Sequence, residues 1–186
     1  MLSGNPTFDS FLRDMEALLD EAGDDEPRLL AQGQQRLAQL VAEDAWLPAK
    51  YLEAEPEKFT QYLLHRDTRK GFTVLCVSWG PGGWSSPHDH KTWGLIGQLR
   101  GAESTRVYRD AVAGQPLVLQ SECVLRPGET TAVSPTLGDI HEVRNVFDGD
   151  SVSIHVYGAD LASLAPLRRR YDEATGATTP FVASYR

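Results

Sequence analysis

Three of the five histidines in this 186-residue chain are spaced as metal ligands. His88 and His90 stand two apart, so on an extended segment both imidazoles leave from one face. His141, in Gly138-Asp139-Ile140-His141, comes from a distant stretch and supplies a third nitrogen. Three neutral imidazoles suit a divalent first-row metal such as Fe, Zn, Cu or Ni, and a facial set of three leaves positions open for substrate and O2. A structural zinc site is normally closed by a fourth cysteine or histidine. Only Cys76 and Cys123 are on offer, and neither is near the histidines in sequence. This pattern is that of a site that performs chemistry.

A second group lies in Ser151 to Tyr157. Its odd positions include Ser153, His155 and Tyr157 and its even positions are Val152, Ile154 and Val156, so a strand here has one polar and one apolar face. That alternation by itself fits a strand with one face in solvent equally well. A lone His-x-His is also more often a pair of surface histidines than a ligand pair, and what reverses those odds is the second motif together with the layout of the chain. Asp89, between two ligands, should point to the opposite side and serve structure. His65 reads as a helix-end or surface residue. Trp79, Trp84 and Trp93 read as aromatic packing of the barrel rather than as pocket lining.

The elements that would position these residues change character near residue 70. Phe8, Phe11, Leu12, Met15, Leu18 and Leu19 recur at helical spacing, as do Leu29, Leu30, Leu37, Leu40 and Val41 after Pro27. A third helical stretch is expected over 56–64. From Phe72 onward short β-rich runs are expected at 72–79, 84–90, 92–99, 102–109, 117–125, 130–134, 140–147 and 151–157, separated by glycine and proline turns. Strands of this length and spacing make a sandwich or a small barrel whose interior can hold a ligand. The expected organisation is a single domain over 1–186, with a helical cap at 1–66, a barrel at 70–160 and a C-terminal segment at 161–186. Phe181 and Tyr185 in that segment should dock back on the body.

Bulk properties narrow the partners. The net charge is -8 and the pI about 5.1, with no basic stripe beyond Arg168-Arg169-Arg170. That excludes nucleic acid and anionic membrane as expected partners. No apolar stretch reaches the ~20 residues of a membrane span, and the first residues lack the pattern of a signal peptide. Two cysteines without CxxC spacing read as reduced thiols in strands, and the expected location is the cytoplasm.

The segments Gly82-Gly83-Trp84-Ser85-Ser86-Pro87-His88-Asp89-His90, Gly138 to Asn145 and Ser153 to Gly158 resemble the cysteine dioxygenase family of cupin thiol dioxygenases over roughly residues 60 to 160. Five residues separate Gly82 from His88-Asp89-His90, and three residues separate His141 from Asn145, as in the two cupin motifs. Most cupins carry a glutamate ligand just after the second histidine. Lys91-Thr92-Trp93-Gly94 stands there instead, which is a mark of the thiol dioxygenases and their three-histidine iron(II) site. Gly94 aligns with the cysteine that mammalian members cross-link to the active-site tyrosine, so no such link forms here. Gln61 aligns with an arginine of the cysteine-specific enzymes and with a glutamine of the bacterial 3-mercaptopropionate dioxygenases.

The resemblance implies a mainly β, cupin-type (jelly-roll) barrel with an N-terminal helical cap, binding Fe(II) through His88, His90 and His141. It implies that Tyr157, His155 and Ser153 face the metal: Tyr157 donates to bound oxygen or substrate, His155 fixes that hydroxyl, and Ser153 fixes the imidazole. The implied substrates are O2 and a small carboxylated thiol, with 3-mercaptopropionate favoured over L-cysteine, and the product is a sulfinate. Gln61 and Arg169 are the implied substrate contacts, Arg169 being taken from the arginine run because a carboxylate wants a forked cationic partner. The solvated alternatives are a polar helix-surface role for Gln61 and an exposed charge run for the arginines. Two other functions are consistent with the motifs: a Zn or Mn cupin isomerase or hydrolase using Lewis acidity, and a metal-binding or sensor module without turnover.

Overall fold

Two neighbouring strands that are apolar on one face and buried on both decide the architecture. In the computed structural model, which describes residue 2, residues 4–182 and residues 185 and 186, β2 (Phe72–Trp79) and β8 (Ser151–Tyr157) are buried along their whole length. They pair with each other inside an antiparallel five-stranded sheet. Its other strands are β1 (Phe59–Asp67), β3 (Gly94–Arg100) and β6 (Thr130–Val133), in the order β1-β2-β8-β3-β6. A smaller sheet of β4 (Glu103–Tyr108), β5 (Leu119–Leu125) and β7 (His141–Asn145), in the order β5-β4-β7, completes the barrel.

The outer face of the large sheet is covered by two helices. Val74 and Cys76 of β2, Leu95 and Leu99 of β3, and Val152, Ile154 and Val156 of β8 share one core with Phe8, Met15 and Leu18 of α1 (Pro6–Ala22) and Leu37 and Val41 of α2 (Glu26–Val41). Asn5 caps α1 by accepting from Phe8 N at 3.1 Å, and Asp25 caps α2 by accepting from Arg28 N at 3.1 Å. The sheet can sit close because α2 presents Gly33, where a Cβ would come within 2.7 Å of Leu95 Cδ1. With the apolar face of β8 committed to the helices, its polar face has to look into the barrel. Two antiparallel sheets closed around an interior that carries functional side chains make a cupin-type jelly roll. Among the described residues no helix is long and apolar enough to cross a membrane.

Two expected elements differ. The stretch 56–64 is not a helix: β1 runs from Phe59 to Asp67 and pairs antiparallel with β2, with Asp67 closing the turn by accepting from Arg69 N and Lys70 N. Its pattern has period two, Phe59 and Leu63 reaching the inner core while Tyr62 and Leu64 reach the helices. The stretch 84–90 is not a regular strand either. It pairs with the small sheet through isolated bridges, Trp84 to Arg144 and His88 to His141, with His88 also bridged to Arg170.

Beyond β8 a short α3 (Leu161–Leu164) leads to the hairpin of β9 (Arg169–Tyr171) and β10 (Thr178–Pro180). Phe181 is buried, and the backbone of Arg186 pairs with β1 at Gln61 and Leu63.

Candidate metal centre and active site

His88, His90 and His141 are brought together in the barrel, each buried, with ligand atoms all within 4.8 Å of one another. Backbone pairing sets the approach: His88 N donates to His141 O and His141 N to His88 O, both at 2.9 Å. Two aspartates hold the ligand loop. Asp139 accepts from His90 N at 2.9 Å and Lys91 N at 2.8 Å. Asp89 turns away from the histidines and accepts from Arg169 N at 2.8 Å and from the Tyr171 hydroxyl at 2.6 Å.

The tautomers follow from the hydrogen bonds. His88 Nδ1 donates to the Ser86 carbonyl at 2.9 Å and His141 Nδ1 to the Asp139 carbonyl at 2.8 Å. Each Nε2 is then left with a lone pair facing the cluster. Among the described residues His141 Nε2 has no hydrogen-bond partner, and His88 Nε2 sits 3.1 Å from His90 Nε2. Nitrogens ~2.1 Å from one metal and at right angles to each other would be ~3.0 Å apart. Burial pushes the pKa of all three rings down, with the neighbouring rings acting the same way at His88 and His90, the Arg168 charge acting so at all three, and Asp139 opposing it at His141, so they stay neutral, the state a ligand needs. The donor set therefore fits a divalent metal.

Tyr157 lies flat against His90, with ring centroids 4.0 Å apart and planes 16° apart. Its hydroxyl is 2.8 Å from His155 Nδ1, and His155 Nε2 is 2.9 Å from Ser153 Oγ. Trp79 Nε1 donates to the same serine oxygen at 3.2 Å. Burial pushes His155 down to about 3 and the Tyr157 phenol upward, so both are neutral at working pH. The ring position depends on Gly94: a Cβ there would lie 2.8 Å from Tyr157 Cε1 and 2.9 Å from Cδ1. Gly94→Ala should therefore displace a ring already pressed on His90 and lower turnover ~10–100-fold with metal retained; an unchanged kcat would remove the steric argument.

Gln61 lies on β1, not on a helix surface. It lines the inner cavity beside the histidines and also an outer vestibule. Phe59 and Phe181 line both spaces too and form the apolar partition between them.

The arginine facing the centre is Arg168, and this corrects the choice of Arg169. Arg168 is 1% exposed, and its charge acts on all three histidines. Its Nε donates to the Asp89 carbonyl at 3.2 Å, its guanidinium lies 4.6 Å from the Phe181 ring centroid, and Nη2 has no partner among the described residues. Arg169 instead donates from Nη1 to the carbonyls of Pro166 and Arg168, at 2.8 and 2.9 Å. Parity explains this: on an extended segment 168 and 170 share a face and 169 takes the other. Arg170 accordingly also reaches Phe181, at 5.2 Å, but from the vestibule side. Trp79 as a donor to Ser153, and Phe59 and Phe181 as walls, went unread in the sequence, where each looks like an ordinary strand aromatic.

A cupin barrel whose interior presents three neutral histidines that could hold a metal ion, a buried Tyr-His-Ser line and a buried arginine is the class that this fold and site define. Residues 26–173 match the cysteine dioxygenase type I family, and the chain belongs to that family. Human cysteine dioxygenase type 1 is 26% identical over 132 residues, covering 69% of this chain and 62% of that protein. The same figures hold for cysteine dioxygenase type 1 of Pongo abelii. The match thus spans less than two thirds of the length of these relatives. Among solved structures, a cupin superfamily protein from Desulfitobacterium hafniense superposes with a TM-score of 0.45 at 16% identity, covering 67% of this chain and 88% of that one.

Proposed function

We propose that the protein is an iron(II)-dependent thiol dioxygenase that converts a small carboxylated thiol into its sulfinate, with 3-mercaptopropionate preferred over L-cysteine. The observation that supports this reading is the buried Arg168 guanidinium, whose charge acts on the histidine cluster and whose Nη2 has no partner among the described residues. A buried cation lacking an anionic partner is costly, and a substrate carboxylate would supply one. The reaction balances without any further reductant: thiol plus O2 gives sulfinic acid, sulfur giving up four electrons and both oxygen atoms ending on it.

A ferrous ion held by His88, His90 and His141 would supply Lewis acidity that favours the thiolate, and a redox centre for O2. The chain supplies the remainder. Arg168 holds the carboxylate by a charge-assisted fork. Gln61, being uncharged, makes no demand for the ammonium of an amino acid, which favours the simpler thiol acid. Phe59 and Phe181 exclude water. Tyr157 offers a hydroxyl at the reacting end, its position fixed by His155. Both cysteines are free thiols, in keeping with a reducing cytoplasm that also keeps iron ferrous.

The test is O2 uptake by anaerobically iron(II)-loaded protein with each thiol offered separately. Uptake yielding sulfinate, with kcat/KM higher for 3-mercaptopropionate, is the expected result. A ratio favouring L-cysteine would overturn the substrate assignment. No uptake with either thiol despite bound iron would replace the whole reading by a Lewis-acid enzyme or a binding module.

A further inference from the structure

On the outer side of the Phe59–Phe181 partition lies a second chamber, the vestibule, of about 250 Å³. Its lining carries two cations, Arg170 and Arg186, and no acidic residue. The backbone holds both in place. Arg170 is bridged to His88, and Tyr171 N donates to the Pro87 carbonyl at 2.8 Å, which fixes β9 against the ligand loop. Arg168 and Arg170 leave one face of this segment and both meet Phe181, with guanidinium to ring centroid distances of 4.6 and 5.2 Å. Arg186 N donates to the Gln61 carbonyl at 2.9 Å, and Leu63 N donates to the Arg186 carbonyl at 3.2 Å, so this residue is tied to β1 beside Gln61.

Neither guanidinium is neutralised. Among the described residues no carboxylate lies within ion-pair distance of Arg170 or Arg186. Acids in the surroundings have other partners. Glu55, which feels the Arg186 charge, is paired with Lys58. In the groove on the other side of Arg170, Asp172 accepts from Thr175 N and Oγ1 at 2.9 and 2.7 Å, and Glu173 accepts from the Tyr108 hydroxyl at 2.6 Å. Residues 183 and 184, which fall outside the described ones, are alanine and serine and bring no charge.

Two unpaired cations at this mouth matter because the chain as a whole carries a charge of -8. A surface of that sign repels an approaching anion, and a positive cleft with low-dielectric walls reverses the effect locally by focusing the field. Phe59, Phe181 and Val182 supply such walls. Space leads to the same place. The inner cavity, at about 10 Å³, has room for about one water, whereas the vestibule accepts a molecule of several heavy atoms. Gln61 lines both spaces and stands where one opens towards the other.

We propose that the vestibule is an outer carboxylate-binding subsite: Arg170 and Arg186 capture a small monocarboxylate with a short uncharged tail and present it to the Phe59–Phe181 partition, beyond which Arg168 receives it. The consequence for turnover rests on the thiol dioxygenase reading; the affinity of the vestibule for a carboxylate does not.

The experiment starts with zinc-loaded protein and propionate, a carboxylate without a thiol. The Nε–H NMR signals of Arg170 and Arg186, assigned from Arg170→Gln and Arg186→Gln, should shift saturably in wild type and equally in Arg168→Met, where the inner partner is gone. Shifts that grow without saturating, that need Arg168, or that uncharged propionamide reproduces would each overturn the proposal. In iron-loaded protein at low salt, the double variant Arg170→Gln/Arg186→Gln should lower kcat/KM for a carboxylated thiol about three- to tenfold with kcat retained, and should spare a thiol without a carboxylate. The deficit should shrink at high salt, since the Debye length falls to about 3 Å at 1 M. An equal loss with both thiols would mean that the substitutions act through the packing of Phe181, and would overturn the capture role. Saturable propionate shifts without O2 uptake would sink the dioxygenase reading and leave the subsite standing; O2 uptake without such shifts would do the reverse.

Discussion

Replacing His141 by alanine should leave the protein without its metal. His141 Nε2 is buried and without a partner among the described residues, and its Nδ1 proton is committed to the Asp139 carbonyl, so the ring has one remaining role. Loss of one of three ligands should lower affinity at least ~100-fold, and alanine at His88 or His90 should do the same. The fold should survive, because the reciprocal bond between His88 and His141 is made by backbone atoms. Metal analysis after anaerobic loading, with circular dichroism as the control, reads the outcome. Full metal content in the three variants would remove the site assignment. Equivalent loss of helical and sheet signal would mean that the rings serve the core.

Removing the guanidinium of Arg168 should do comparable damage by a different route. Arg168→Met keeps much of the apolar stem but would leave the carboxylate of the proposed substrate without its partner in a buried site. Breaking a buried pair by removing one member costs about 3–5 kcal/mol, so kcat/KM for a carboxylated thiol should fall ~10²–10³-fold with iron retained. Arg168→Lys should recover only part of this, since an ammonium cannot reproduce the fork. A thiol with no carboxylate should be used poorly by wild type and be much less affected by the change. Arg169→Ala should stay close to wild type, because that side chain serves only the carbonyls of Pro166 and Arg168. The reverse pattern, with Arg169→Ala the damaging change, would overturn the placement.

These two results bear on different layers of what a sequence encodes. Ligand identity is local: His-x-His on an extended segment must present two rings to one side, and the alternation from Ser151 to Tyr157 must put three polar groups on one face. Helices α1 and α2 were likewise legible, since their apolar positions repeat at helical spacing. Strands β2 and β8 fall where the pattern places them because each is bounded by glycine-containing turns.

Other features depend on what lies opposite. Leu63-Leu64 in β1 obscures period two, so the stretch reads as helical until β2 supplies its ladder. Which face of β8 looks inward depends on α1 and α2 covering the other face, a fact absent from the strand's own residues. The choice among three consecutive arginines depends on the register of β9 with β10, since one step of slip exchanges the buried side chain for the exposed one. The sequence by itself determined the candidate ligands, the polar face and the helices, because those follow from side-chain chemistry and periodicity along one segment. The tertiary structure decided the direction of that face and the identity of the arginine, because each is set by packing between segments far apart in the chain.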